Sequence, residues 1–474
     1  MLNNNKNGMK HFLSSKFCQG SRCLFLLLLV NLSPLDADAD STNEYSANSS
    51  DIKAAAQAYE LTSEEERQLT AQANCFAFRL FRQTRGDDSQ VLSPLGVTFA
   101  LSMLNNGTAG QTRQEISQAL GFGNASLDAV NAFCRKQLTK GNTLDPLASM
   151  PLASSVWVNQ PSQLLPDFKK TAADYFDATA ESRNFTDGQT LAAINRWGSS
   201  HTNGMIPSVL ESLSPSAVSY LLNAVYFKGT WTLKFDPAKT KKEAFGSTGM
   251  TLPMMYQHKR VFYKEDATCQ ALRLPYGNES FCMTVFLPRE DKTIGKVLTL
   301  LESGQWDDRY RQMEVNEVDV KLPQMDQTTS LPLNDAVQAL GIKRAFDAGL
   351  AEFPLFCNQN TYLYMLKQDV RLKVDEEGTS AQTISGGTIV FDPPVYTFHA
   401  NRPFLYVISE KSSGLIYFIG QMTDGTPTDI PASISETSVS RPSTSTLYDL
   451  LGRPIQGTPQ PGLYIREGKK IMVK

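Results

Sequence analysis

Gln270-Ala271-Leu272-Arg273-Leu274-Pro275 and Phe281-Cys282-Met283-Thr284-Val285-Phe286-Leu287 flank Gly277-Asn278. Both runs read as strands and Gly-Asn is turn chemistry, so the segment predicts an antiparallel hairpin. Upstream the period changes from that of a strand to that of a helix. Ser63-Glu64-Glu65-Glu66 gives a capped, acid-rich helix start, and apolar positions recur at helical spacing through Phe76, Phe78, Leu80 and Phe81. A second helix is expected after Ser93-Pro94, with Leu101, Met103 and Leu104 inside it and its end near Asn106-Gly107. Helices first and antiparallel strands later define an α+β class. No fixed-period repeat occurs between residues 66 and 425, which argues against a solenoid or propeller and leaves one domain over 66–425. With 41% hydrophobic residues the chain can build a sizeable core. Its 45 Lys+Arg against 48 Asp+Glu leave a net charge of -3, without the basic stripe a nucleic-acid partner requires.

The two ends differ from this middle. Lys6, Lys10, Lys16 and Arg22 precede the short apolar run Leu24-Phe25-Leu26-Leu27-Leu28-Leu29-Val30, and Ala37-Asp38-Ala39 follows as a small-x-small cleavage pattern. Residues 1–39 are therefore expected to be a signal peptide, with an uncleaved anchor as the alternative, and 40–65 a polar leader. Removal of the signal takes Cys18 and Cys23 away and leaves five cysteines without a CxxC pair, which argues against a disulfide framework and a zinc site. From Pro427 to Thr446, 13 of 20 residues are Ser, Thr or Pro, so 426–446 reads as a linker. Residues 447–474 follow with three short apolar runs between glycine turns, Leu447–Arg453, Pro461–Ile465 and Gly468–Lys474, and read as a small β module. This tail resembles the C-terminal sorting domains of Bacteroidetes proteins that leave through the type IX secretion system. A terminal hairpin on the main domain is the alternative. The resemblance implies a secreted protein at the surface of, or outside, a Gram-negative cell, with no integral membrane segment in its mature form.

A second resemblance covers 66–425. Ser93-Pro94-Leu95 running into Leu104-Asn105-Asn106-Gly107-Thr108 looks like the second helix of the serpin family. Ile194-Asn195-Arg196-Trp197 with Thr202-Asn203-Gly204-Met205-Ile206 matches its middle helix and the following turn, and Asn223-Ala224-Val225-Tyr226-Phe227-Lys228-Gly229-Thr230-Trp231 is similar to its most recognisable strand. Leu340-Gly341-Ile342 with Ala345-Phe346-Asp347 fits the last helix, Val374-Asp375-Glu376-Glu377-Gly378-Thr379 the hinge, and Asn401-Arg402-Pro403-Phe404 the strand beyond the reactive loop. The resemblance implies three β-sheets, eight or nine helices and an exposed reactive loop. It implies a protease inhibitor rather than an enzyme: a target serine protease, or a cysteine protease, cuts the loop, which inserts as a new strand and carries the acylated protease with it. The covalent complex is the product, the inhibitor acts once as a monomer, and no cofactor, metal or catalytic residue of its own is implied.

The loop can be read against that expectation. An inserting segment has to be strand-competent and small on the face that meets a packed interior. Thr379, Ala381, Thr383, Ser385 and Gly387 fall on one face and are small throughout, while Ser380, Gln382, Ile384, Gly386 and Thr388 fall on the other. No charge or proline lies between Gly378 and Phe391. The hinge is Glu376, Glu377, Gly378, Thr379, Ser380 and Ala381, with Gly378 accepting backbone angles other residues avoid and an ordinary turn as the bland alternative. Spacing from Gly378 puts the scissile bond after Asp392, but Pro393 follows. Spacing back from Phe398 puts it near Ile389 or Val390. Val390–Phe391 is preferred and fits an elastase-like pocket, and Phe391–Asp392 would suit a chymotrypsin-like one. No Arg or Lys lies in this stretch for a trypsin-like enzyme.

Beneath the loop, the resemblance implies a polar cluster that governs sheet opening, formed by Ser93, Asn223 and Gln368. The family usually has histidine at the last position. Glutamine still donates and accepts but does not titrate. Ser93 is alternatively a plain helix cap. Enzyme chemistry finds no support: the histidines are His11, His201, His258 and His399, with no GxSxG elbow, HExxH pair or P-loop. Three classes compete: a suicide inhibitor, a non-inhibitory serpin acting as carrier, chaperone or mere protease substrate, and an unrecognised hydrolase.

Overall fold

The computed structural model describes residues 59–310, 313–378, 396–425, 462–466 and 469–473. Among them are eight α-helices: Ser63–Thr84, Pro94–Asn105, Gly110–Leu120, Leu127–Thr143, Pro166–Phe176, Gly188–His201, Ile294–Leu300 and Asn334–Ala339. The first begins at Ser63, in the acid-rich start read from the sequence, and Thr62 is its cap. The Thr62 hydroxyl accepts from Glu65 N at 3.2 Å and Glu65 Oε2 accepts from Thr62 N at 2.9 Å, a reciprocal capping box. Pro94–Asn105 lies where the sequence places it, capped by Ser93 with proline in the first turn.

The expected hairpin forms as Cys269–Tyr276 against Phe281–Pro288, antiparallel, with Ala271 opposite Phe286. It belongs to a nine-stranded sheet ordered Gln90–Leu92, Ile416–Met422, Phe404–Glu410, Phe281–Pro288, Cys269–Tyr276, Met250–Glu265, Glu314–Pro323, Tyr396–His399, with Lys241–Phe245 also on Met250–Glu265. Met250–Glu265 is 16 residues long and serves three ladders, one of them with Lys241–Phe245. Its last four residues pair with the hairpin, and Met254–Tyr263 pairs with Glu314–Pro323. Two of the three expected sheets thus share one strand.

The central sheet is ordered Met325–Pro332, Met365–Val374, Ser219–Gly229, Leu152–Asn159, Thr179–Arg183, with Ala148–Ser149 pairing the end of Ser219–Gly229. Both faces are covered, which is why Ser219–Gly229 reads as an almost unbroken apolar run. Leu221, Val225, Phe227, Leu366, Val370 and Leu372 point into the main core. Tyr220, Leu222 and Ala224 point the other way, against Trp157, Ile194 and Trp197 of a second cluster that includes the Gly188–His201 helix. The period-two alternation therefore sorts one strand between two apolar layers. Gly462–Arg466 and Lys469–Val473 form a separate antiparallel pair, and the first of the three expected tail runs lies outside the described residues.

Candidate functional site: the sheet centre and the loop stem

Of the four pairings that join the five central strands two are antiparallel and two parallel; one parallel pairing is at the edge, Leu152–Asn159 with Thr179–Arg183, and the other is interior, Met365–Val374 with Ser219–Gly229. Residues Met365 to Leu372 pair in register with Tyr220 to Phe227, placing Gln368 opposite Asn223. Both side chains turn toward the main core and are about as buried as side chains get, at 1% exposure, with Ser93 at 0%.

Buried polar groups need partners, and these supply each other. Gln368 Nε2 donates to Asn223 Oδ1 at 2.6 Å and to Ser93 O at 2.8 Å, while Gln368 Oε1 accepts from Ser93 N at 2.9 Å. Asn223 Nδ2 donates to Ala153 O at 2.9 Å and Ser154 Oγ at 3.1 Å, reaching the next strand. Ser93 Oγ accepts from Gly96 N at 3.3 Å and donates to Tyr417 O at 2.9 Å, so it is helix cap and cluster member together. Gly96 is required where it stands, since a Cβ there would lie 2.3 Å from Asn223 Oδ1. The three residues singled out in the sequence are thus one hydrogen-bonded unit across the two middle strands. It contains no group that titrates near neutrality.

The hinge follows directly from Val374. Asp375 and Gly378 bridge each other through Gly378 N to Asp375 O at 3.1 Å and Asp375 N to Gly378 O at 2.9 Å, and Gly378 also bridges to Thr230. Gly378 has φ +112°, and a Cβ on it would lie 2.4 Å from Gly229 O and from Trp231 N. Only glycine fits this turn. Trp231 N and Phe235 N donate to Glu377 O and Glu376 O, both at 3.0 Å, and Trp231 Nε1 donates to Asp375 O at 2.9 Å.

The hinge carboxylates are held as well. Gln324 Nε2 donates to both Glu376 oxygens at 2.9 and 2.8 Å, and Thr240 Oγ1 donates to Oε1. Burial alone would raise the Glu376 carboxyl, yet these donors and nearby Lys373 hold it below the ordinary carboxylate range. Lys234 Nζ meets Glu377 Oε2 at 2.6 Å. Nothing local in the sequence announces Gln324, Thr240 or Lys234, which lie 52, 136 and 143 residues from their partners. Thr379, Ser380, Ala381, Thr383, Ser385 and Gly387, and the scissile-bond candidates Ile389, Val390, Phe391, Asp392 and Pro393, lie outside the described residues.

Residues 71–425 match the family model described as serpin (serine protease inhibitor). The chain belongs to the serpin family. Among curated serpins it is 26% identical over 371 residues to neuroserpin of Gallus gallus, covering 74% of this chain and 90% of that protein. It is 28% identical to a serpin-like protein of Thermococcus kodakarensis, covering 76% of this chain and 86% of the relative, so prokaryotic serpins are among its kin. Among solved structures it is similar to tengpin, a thermophilic serpin in the native state, with a TM-score of 0.71, 25% identity and coverage of 77% of this chain and 95% of that one. Human thyroxine-binding globulin, solved in complex with thyroxine, shares the fold at a TM-score of 0.70 and 22% identity, over 77% of this chain and 100% of that one. The serpin architecture expected from the sequence is the one present. Among the described residues no helix is long and apolar enough to cross a membrane.

Proposed function

We propose that this serpin is a secreted, single-use protease inhibitor whose loop, once cut, inserts between Met365–Val374 and Ser219–Gly229. The observation that carries the reading is the parallel pairing of those two strands at the sheet centre. A strand entering between them from the Gly378 turn runs antiparallel to both, and antiparallel pairing is the more stable ladder. Release of the Gln368–Asn223 bond is the step that parts them.

The target favoured by the sequence is an elastase-like serine protease cutting Val390–Phe391, with a chymotrypsin-like enzyme second. Attack by the protease serine on the scissile carbonyl expels the new amino terminus and leaves an acyl ester. Insertion then carries that ester to the far end of the sheet before water hydrolyses it. The signal-like residues 1–39 and the sorting-like tail 447–474 support export from a Gram-negative cell.

A carrier reading has one argument, the fold likeness to thyroxine-binding globulin. The small, uncharged and proline-free face Thr379, Ala381, Thr383, Ser385 and Gly387 favours insertion instead. Mixing the full chain with elastase-, chymotrypsin- and subtilisin-like proteases tests this. A denaturant-resistant complex with a cut at or beside Val390 is expected. Cleavage with no complex for every serine and cysteine protease tried would overturn it.

A further inference from the structure

The Gln368 amide joins the two middle strands with every bonding group it has. Its two N–H groups meet two acceptors, Asn223 Oδ1 and Ser93 O, and its carbonyl oxygen meets one donor, Ser93 N. None of the three partners can turn away. Ser93 O already accepts from Val97 N at 3.2 Å as the first bond of the Pro94–Asn105 helix. Asn223 Nδ2 is committed to Ala153 O and Ser154 Oγ, which leaves Oδ1 to face the glutamine. Two fixed acceptors and one fixed donor, all shut away from water, call for a neutral amide.

The other polar side chains of similar reach do not fit. Neutral imidazole has one donor and one acceptor for three partners, and imidazolium has no acceptor for Ser93 N. A carboxylate sets its oxygens against Asn223 Oδ1 and Ser93 O. Either ion would be buried without a counter-charge, because the charges nearest in the chain lie on the opposite face of the strand. There Lys367 pairs with Asp369 and donates to Val209 O at 2.6 Å, and burial raises the Asp369 carboxyl. Of the other elements against Gln368, Met325–Pro332 sets Leu331 opposite it, and Ile416–Met422 offers Ser93 only the Tyr417 carbonyl. The Tyr417 hydroxyl is turned to Gln137 O at 3.4 Å, and burial pushes it up.

We propose that Gln368 is a positioning residue whose neutral amide makes the parting of the two middle strands independent of pH across the imidazole range, about pH 5 to 8. The consequence rests on the function proposed above. Parting of these strands is the inhibitor's own share of insertion, so the pH range of inhibition is set by the protease. One gate then serves a cysteine protease working in acid and a serine protease working above neutrality.

The test is deuterium uptake along Met365–Val374 in the full, uncut chain at about pH 5.5, 7 and 8.5, corrected for intrinsic exchange and divided by that along Phe281–Pro288. Opening of the parent should vary less than about twofold, and Gln368→Leu should open more at every pH while staying as flat. Gln368→His buries an imidazole whose folded value lies below its unfolded one, so stability is lost as the pH falls and opening should rise toward acid. Gln368→Glu buries a carboxyl whose folded value lies above its unfolded one, so opening should rise toward alkali. Each slope should be about three- to tenfold per pH unit, tenfold being the limit for one proton. Where Gln368→Glu does not fold, the contrast between Gln368→His and Gln368→Leu decides. A parent slope above about twofold, or titrating variants as flat as Gln368→Leu, overturns the proposal. No protease enters this measurement, so failure of the inhibitory reading would show separately, as absence of a covalent complex at every pH.

Discussion

Gln368 donates from Nε2 to Asn223 Oδ1 over 2.6 Å, joining the two strands that lie parallel at the centre of the sheet. That bond stands where a new strand would enter. Removing it leaves Ser93 N and Asn223 Oδ1 buried without their glutamine partner. Gln368→Leu keeps most of the volume and is expected to cost about 1–3 kcal/mol, the usual penalty for unsatisfied buried polar groups. A lower melting temperature, with faster amide exchange along Met365–Val374 than along Leu152–Asn159, is the expected result.

Gly378→Ala should destabilise the intact protein by about 1–3 kcal/mol, because the turn requires a positive φ and the new Cβ meets backbone atoms. In the cut and inserted form the turn is remade as extended chain, so the same substitution should cost less there. Melting both forms of both proteins gives the comparison.

Thr383→Arg places a charge on the face expected to meet the interior, and Ile384→Arg places it on the other. Thr383→Arg should raise the moles of inhibitor consumed per protease severalfold, turning an inhibitor into a substrate. Ile384→Arg should change that ratio much less. Neither should alter the melting temperature of the uncut chain.

Acid sensitivity has a locatable source on the first helix. Glu66 is opposed by burial, but Lys136, Lys140 and Gln137 bond it at 2.7, 2.7 and 2.9 Å and lower its carboxyl from 4.5 to about 2. A carboxyl depressed on folding contributes stability above its unfolded value, and that contribution is lost as the pH falls through the folded one. The parent should therefore lose stability between pH 4.5 and about 2, and Glu66→Gln should lose less over that interval while starting lower. Melting temperature against pH for the two proteins checks this.

What could be read from the residues was whatever a local pattern or a family motif encodes. The 269–288 hairpin, the Pro94–Asn105 helix and the trio Ser93, Asn223 and Gln368 were of that kind. The partners of the hinge were not. Gln324 reaches Glu376, and Lys234 reaches Glu377, only because the sheets bring distant strand ends together, and a lone Gln or Lys after a strand carries no signal of that. The histidines show the same limit. His258 and His399 match no catalytic motif, and only strand register sets them on Asp319. The start of the first helix at Ser63 was legible from its acidic run, whereas the part of Thr62 as its cap was not.

The most direct test of a spring-loaded native state is to cut the loop at or near Val390 with a catalytic amount of protease and melt the product beside the uncut chain. Insertion predicts that the nicked protein melts far above the intact one, with residues 379–390 protected from exchange. Equal melting temperatures, with that segment exchanging as free peptide, would contradict the account.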